Sequence, residues 1–320
     1  MDEQPVAREE KIPSMTRATT KVVSASLSGL RRVAGRRDIN WTPEFMGFGN
    51  QLYLWCWAFS GLGEKIRRKV LITPKMRYWA DLVPNFAAEY LIERSDVSFL
   101  DRRGHYWADK QRWSGGYPQG FSRAQRADFI GALHDEPLLR DVLDSPLDAG
   151  DVLTVNVRRG DYYSVAAHRS WFAIDLDAYL HAAVTRSIEQ DGPITRLHFV
   201  SDDEQWCRAR PWSSDLAPQV TYGAADNPAD NFRDICAARR LVLSNSTFSL
   251  WGGFISSALH PSSGSSTIWA PAFFQSTYGA GRCFEYDEDW NFVDDLPDGW
   301  QPQWVLGGQD PPGSSGSRGG

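Results

Sequence analysis

The 320-residue sequence is short of the features that would simplify it. Its four cysteines, Cys56, Cys207, Cys236 and Cys283, include no Cys-x-x-Cys pair. With no secretion signal in view they are expected as reduced thiols of a cytosolic protein, not as a disulfide framework. The six histidines, at 105, 134, 168, 181, 198 and 260, fall at no metal-ligand spacing. No stretch of 18 apolar residues occurs; the longest aromatic-aliphatic run, Leu52 to Leu62, is broken by Ser60 and Gly61, which excludes a bilayer-spanning helix. An excess of positive charge is also missing. Thirty-four Lys and Arg stand against 40 Asp and Glu, a formal charge of −6, which argues against a nucleic-acid partner held by counterion release. There is no Walker loop and no Gly-x-Ser-x-Gly elbow. Tryptophan, by contrast, is plentiful, with 14 residues. Large core aromatics are the favoured account, and sugar-stacking faces are the alternative.

Both ends are polar and lack an apolar period. Residues 1–38 carry eight basic side chains, from Arg8 to Arg37, but Asp2, Glu3, Glu9 and Glu10 spoil a transit-peptide pattern. They are expected as a disordered leader, with a basic tail touching a membrane surface or a partner left open. Residues 307–320 form a Gly/Ser/Pro tail expected to be disordered. Between the ends, short apolar runs alternate with helical periods, which predicts an α/β protein with parallel sheets. The second half is the clearer. Strands are predicted at 151–157, 197–200, 241–243 and 267–270. Asp175 should cap a helix burying Leu176, Tyr179, Leu180, Ala183, Val184 and Ile188, and a second helix should span about 248–259. In the first half a helix opening at Gly47–Asn50, a strand at 69–72 and helical turns within 128–143 are legible. A boundary falls near Pro146 to Gly150, dividing the chain into residues 39–150 and 151–306.

Three segments carry chemistry. Val155-Asn156-Val157-Arg158-Arg159-Gly160-Asp161-Tyr162 brings two guanidiniums and a carboxylate to the carboxyl edge of a sheet, where ligands of open α/β sheets bind. Arg presents a planar fork of donors suited to phosphate; the plain alternative is an Arg–Asp ion pair closing the strand. An adhesion role for the Arg-Gly-Asp tripeptide has no support from this context. Ser244-Asn-Ser-Thr-Phe-Ser-Leu-Trp-Gly-Gly253 runs from strand to helix and offers hydroxyls and free N–H groups to an anion, or merely an N-cap at Ser246 or Thr247. Met46-Gly-Phe-Gly-Asn-Gln-Leu52 lacks the third glycine of a dinucleotide fingerprint and any clear preceding strand, so it is either a glycine loop admitting a ligand or a simple turn. Asp175-Leu-Asp177 and Asp287-Glu-Asp289 match an Asp-x-Asp metal pattern, but solvated carboxylates account for them better.

These segments resemble, in order, the motifs of the α-1,2-fucosyltransferase family, glycosyltransferase family 11. Val155–Tyr163 is similar to its His-x-Arg-Arg-Gly-Asp-Tyr motif, Phe199–Cys207 to its Ser-Asp-Asp motif, and Asp234–Cys236 with Leu241–Gly253 to its third. Gly47–Gln51 matches the amino-terminal Gly-Leu-Gly-Asn-Gln signature. The resemblance covers about residues 41–275. It implies a GT-B fold, two Rossmann-like domains facing across a cleft, with GDP-fucose on the second and a galactose-terminated glycan or lipid-linked oligosaccharide as acceptor. The implied reaction is inverting transfer to a galactose 2-hydroxyl, with no metal. By the same resemblance Arg158 contacts the β-phosphate with Arg159 in support, and Asp234 accepts from the guanine edge. Ser246, Thr247 and Ser249 line the pyrophosphate, and Asn50, beside Gly49, reaches over from the first domain. Asn156 departs from the family's usual His, so altered nucleotide affinity is expected there. Asp161 and His168 are the candidate bases, although Asp161 could instead orient Arg159. A non-catalytic GDP-sugar or glycan binder and a transferase of another GDP-deoxyhexose remain as alternatives. A cytoplasmic place is expected, with peripheral contact at the inner face of the membrane left open. No oligomeric state is assigned.

Overall fold

The computed structural model describes residues 37–61, 67–104, 121–224, 226–261, 265–276 and 286–306. The leader up to residue 36, the 307–320 tail, Cys283 and His105 lie outside them. Within the described residues the strands are β1 Arg37–Asn40, β2 Arg67–Leu71, β3 Leu91–Ile92, β4 Arg102–Arg103, β5 Val152–Val157, β6 Arg196–Ser201, β7 Gln219–Tyr222, β8 Arg240–Val242, β9 Ile268–Pro271 and β10 Asn291–Val293. The helices are α1 Phe48–Phe59, α2 Pro74–Ala80, α3 Pro84–Tyr90, α4 Arg123–Leu133, α5 Gly160–Ser164, α6 Ala166–Phe172, α7 Leu176–Asp191, α8 Glu204–Arg208, α9 Trp212–Leu216, α10 Pro228–Ala237, α11 Thr247–Leu259 and α12 Gln303–Leu306.

They build two sheets, β3-β2-β1-β4 and β10-β9-β8-β5-β6-β7, in which every pairing is parallel. The chain is therefore α/β with two parallel sheets, as a GT-B protein requires. In each sheet the strand order reverses once: after β1, whose neighbours are β2 and β4, and after β5, whose neighbours are β6 and β8. Such switch points open a crevice at the carboxyl ends of the strands.

The central strand β5 is buried at all six positions, Val152 to Val157. The alternation of its sequence therefore marks two covered faces: Leu153, Val155 and Val157 join one core cluster, while Val152 joins the other. Helix α7 begins at the Asp175 cap, which accepts from the Ala178 N–H, and buries Leu176, Tyr179, Leu180, Ala183 and Val184, with Ile188 half-buried. The leader expectation is corrected at its end: Arg37 and Asp38 begin β1, so a strand does precede the glycine loop. Four residues with only Ile39 as a large apolar side chain carry too weak a period to be seen in advance. Asp287 is likewise no solvated carboxylate. It is buried and pairs with Arg123 and Arg126, the latter at 3.2 Å.

Helix α1 is apolar around most of its circumference, and Leu52, Leu54, Trp55 and Cys56 are wholly buried. It packs against α11, itself buried through Leu250, Trp251, Phe254 and Ile255, and the Tyr53 and Trp251 rings meet edge to face at 5.2 Å. One core cluster thus contains residues that follow both sheets. Tryptophan serves this core, as favoured: Trp55 and Trp251 are fully buried, and among the described residues Trp171 is the exposed exception.

The contact that sets this packing is at Gly49. A Cβ there would overlap the backbone of Thr247 and Phe248, so the start of α1 can touch the start of α11 only through glycine. Gly47, two residues earlier, has open space where its Cβ would be. Gly49→Ala is expected to destabilise the protein by about 3 kcal/mol, as overpacking against immovable backbone does. Gly47→Ala is expected to be neutral. Urea unfolding of the two variants side by side checks the contrast.

Candidate active site

Both switch points discharge into helices whose first turns abut. The β1 switch leads into α1 capped by Gly47, and the β8 loop beside the β5 switch leads into α11 capped by Ser246. The Ser246 hydroxyl accepts from the Ser249 N–H at 3.2 Å. The N–H groups of Phe48 and Gly49, and of Thr247 and Phe248, have no partner among the described residues. Helix starts left this way are anion sites by geometry and by dipole. Here two of them converge at the Gly49–Thr247 contact. The two plain readings, a cap at Ser246 and a glycine turn, are both realised without spending those N–H groups.

The loop after β5 adds the charge. Arg158 Nη1 donates to Asp202 Oδ2 at 2.5 Å, and Nη2 donates to Asp161 Oδ1. Burial alone would lower the Arg158 pKa, but Asp202 and Asp161 outweigh it and hold it above the ordinary guanidinium value. Arg158 stays cationic and keeps 37% of its side chain exposed. His168 Nδ1 lies 3.1 Å from the other Asp161 oxygen, so Arg158, Asp161 and His168 form one cluster. Asp161 orients Arg158 rather than Arg159, which corrects that expectation. Three residues onward along a helical turn, its carboxylate reaches the side chain that began the turn. Arg159 turns away. Its Nε donates to Asp203 at 2.8 Å, its guanidinium lies over the rings of Tyr163 and Trp206 at 4.5 and 4.8 Å, and only 16% of its side chain is exposed. It is a strut beneath the loop. Asp202 also accepts from the Arg159 N–H at 2.7 Å, packed where Gly160 has no side chain. The Ser201-Asp202-Asp203 run signals a cap, and Asp203 does cap α8 by accepting from Trp206 N–H. The spare carboxylate, Asp202, is the site residue that sequence reading missed.

Other expected site residues are placed differently. Asn156 is 5% exposed, and both ends of its amide are engaged: Nδ2 donates to the Val200 carbonyl at 3.1 Å, and Oδ1 accepts from the Ser244 hydroxyl at 2.9 Å. It ties β5 to β6 and to the β8 loop. Ser249 is fully buried, its hydroxyl accepting from the Ser244 N–H. Thr247, half-buried at the head of α11, stands with Asn50 at the junction of the two helices. Asp234 sits apart from the Arg158 cluster, on α10, where it meets His198 Nε2 at 3.2 Å and borders a cavity of about 350 Å³. A second cavity of about 320 Å³ lies at the opposite end of α11, away from both switch points. Among the described residues no three His, Cys, Asp or Glu side chains gather as metal ligands, and no helix is long and apolar enough to cross a membrane. Cys56, Cys207 and Cys236 are free and buried, and burial pushes the Cys207 thiol up to about 11. If Asn156 is a structural tie, Asn156→Leu should lower stability by about 1–3 kcal/mol, because it strands the Val200 carbonyl and the Ser244 hydroxyl. Thermal denaturation reads this.

Comparison with known proteins bears on the same segment. No curated protein sequence matches the chain. Two solved structures of the E. coli heptosyltransferase WaaC, one with ADP and one with ADP-2-deoxy-2-fluoro heptose, are similar over 82% and 85% of this chain and 94% and 97% of theirs, at 10% and 11% identity and TM-scores of 0.42 and 0.40. The family model described as glycosyl transferase family 11 matches residues 138–292, which contain the Arg158, Asp202, Asp234 and Ser246 motifs but not the Gly47–Gln51 signature. Residues 138–292, from the approach to β5 into β10, are thus similar to glycosyl transferase family 11.

Proposed function

We propose that this chain transfers L-fucose from GDP-fucose to the 2-hydroxyl of a galactoside in a glycan. The observation that carries the reading is the convergence, at the Gly49–Thr247 contact, of two helix starts whose first N–H groups have no partner among the described residues, with the partly exposed Arg158 guanidinium on the loop after the adjacent strand β5. A nucleotide-sugar diphosphate is the anion whose size and charge suit a site with donors on both sides. The α1 and α11 N–H groups cradle the phosphates, while Arg158 faces the β-phosphate. A galactose-terminated glycan or a lipid-linked oligosaccharide supplies the acceptor.

The reaction is a displacement with inversion. The acceptor oxygen bonds to the fucose anomeric carbon as the bond from that carbon to the β-phosphate oxygen breaks, and GDP leaves with the electron pair. The acceptor's proton goes to the Asp161–His168 pair beside Arg158. Negative charge grows on the leaving diphosphate, and preorganised donors that need not move to meet it lower the barrier. No resident metal enters this reading. Asp202 and Asp161 hold the Arg158 fork in place before substrate arrives.

Arg158→Ala is expected to lower kcat by about 10²–10³-fold with the fold intact. The measurement is GDP release from GDP-fucose with a lactose-type acceptor, with circular dichroism to check folding; near-full turnover would refute the role. Within the Asp161–His168 pair, the member that takes the proton should cost about 10²-fold or more in kcat when changed to Asn or Ala, and the other should cost less. Steady-state kinetics of Asp161→Asn and His168→Ala decide between them. Binding of GDP-fucose without release of GDP would favour a non-catalytic sugar-nucleotide binder.

A further inference from the structure

Trp171 is the tryptophan that the core does not use. Its side chain is 47% exposed at the end of α6, whereas the other described tryptophans are buried or half-buried. The backbone that displays it is tied down. Ser170 O accepts from the Ser276 hydroxyl and from Gln301 Nε2, each at 3.0 Å, and Trp171 O accepts from the Ser276 N–H at 2.8 Å. Phe172 O accepts from Asn245 Nδ2 at 2.8 Å, and Ala173 O from Gln301 Nε2 at 3.3 Å. The last carbonyls of the helix are thus held by residues more than 70 positions away. Arg169, 5% exposed, pins the same helix to the Tyr163 carbonyl at 2.9 Å. A ring carried on backbone fixed in advance needs little further ordering to meet a ligand.

The ring also stands beside the reacting groups. Trp171 follows His168, the partner of Asp161, by three residues on one helix, a spacing that makes side chains neighbours with Cβ atoms about 5–6 Å apart. A ladder of rings runs back to the cation. Trp171 meets Phe172 edge to face at 6.3 Å, Phe172 stacks on Tyr162 at 4.4 Å, and the Arg158 guanidinium lies over Tyr162 at 5.3 Å. An exposed aromatic face next to a proton-accepting pair suits a molecule that is apolar on one side and carries hydroxyls at its rim. β-Galactosides have that shape. Their axial 4-hydroxyl leaves the C–H groups of positions 3, 4 and 5 on one ring face, where their slight positive charge suits the negative π face of indole. The equatorial 2-hydroxyl projects from the ring edge, clear of the stack. In a β-glucoside the C–H of position 4 turns to the other face, and the patch shrinks.

We infer that Trp171 is the platform on which the acceptor galactose stacks, presenting its 2-hydroxyl to the Asp161–His168 pair. This rests on the fucosyl-transfer reading above and adds to it the surface that selects a galactoside.

Steady-state transfer from GDP-fucose to lactose, and to cellobiose, whose terminal sugar differs at the 4-hydroxyl, tests it. Trp171→Ala should raise KM for lactose about tenfold and narrow the preference for lactose over cellobiose. KM for GDP-fucose and the melting temperature should not move. Trp171→Phe keeps an aromatic face and should recover most of the loss, whereas Trp171→Leu, apolar without one, should not. Phe99→Ala removes a ring 74% exposed before β4, at the sheet edge opposite the switch points, and should leave KM for lactose as it is. An unchanged KM for lactose in Trp171→Ala, or a loss that Leu repairs as well as Phe, overturns the inference and leaves fucosyl transfer standing. Absence of transfer to either disaccharide by the wild type overturns both.

Discussion

The arrangement depends on one close approach. Because Gly49 has no Cβ, the first turn of α1 can lie against the first turn of α11, and two sheets that share no hydrogen bond are joined through the starts of their switch-point helices. That approach leaves the first N–H groups of both helices without a partner among the described residues. Helix packing supplies the rigidity: α1 and α11 are apolar around most of their circumference, and Trp55 and Trp251 leave no slack between them. A polar demand is thereby imposed on the junction by an apolar core. The diphosphate of the proposed donor is an anion that would answer it.

Charge at the site is more balanced than the Arg-Arg pair suggests. Arg158 and Arg159 are met by Asp161, Asp202 and Asp203, so the side chains alone offer no surplus positive charge. In the proposed function, attraction for a diphosphate rests on the helix starts together with the part of Arg158 that its carboxylates leave exposed. This division is physically sensible. Carboxylates orient a flexible guanidinium and hold it cationic, whereas backbone dipoles, which cannot rotate away, provide the fixed donors. Arg159 contributes by holding the loop, clamped between Asp203 and two aromatic rings.

The second half of the chain was legible because its elements are long and their periods regular. The predicted strand at 151–157 and the Asp175-capped helix are found within a residue or two. The first half was not, because β1, β3 and β4 are strands of two to four residues whose stability comes from neighbours rather than from their own pattern. Among site residues, the types that carry chemistry were visible, and their partners were not. Asp161 pairs with Arg158 and not Arg159, Asn156 is a structural tie, and Asp202 was hidden behind its neighbour's role as a cap.

The amino-acid sequence by itself determined the parallel α/β class, the order of motifs resembling those of family 11, and the two loops proposed for anion chemistry. Each follows from local period, turn chemistry or residue type, which a short window contains. Only the tertiary structure decided which guanidinium faces outward, which carboxylates hold it, and that the first turns of α1 and α11 meet. Apart from the local Arg158–Asp161 pair, those outcomes are set by contacts between residues 40 to 200 positions apart, where a Cβ present or absent at Gly49 and a carboxylate arriving from the neighbouring strand select among arrangements that the local sequence allows equally.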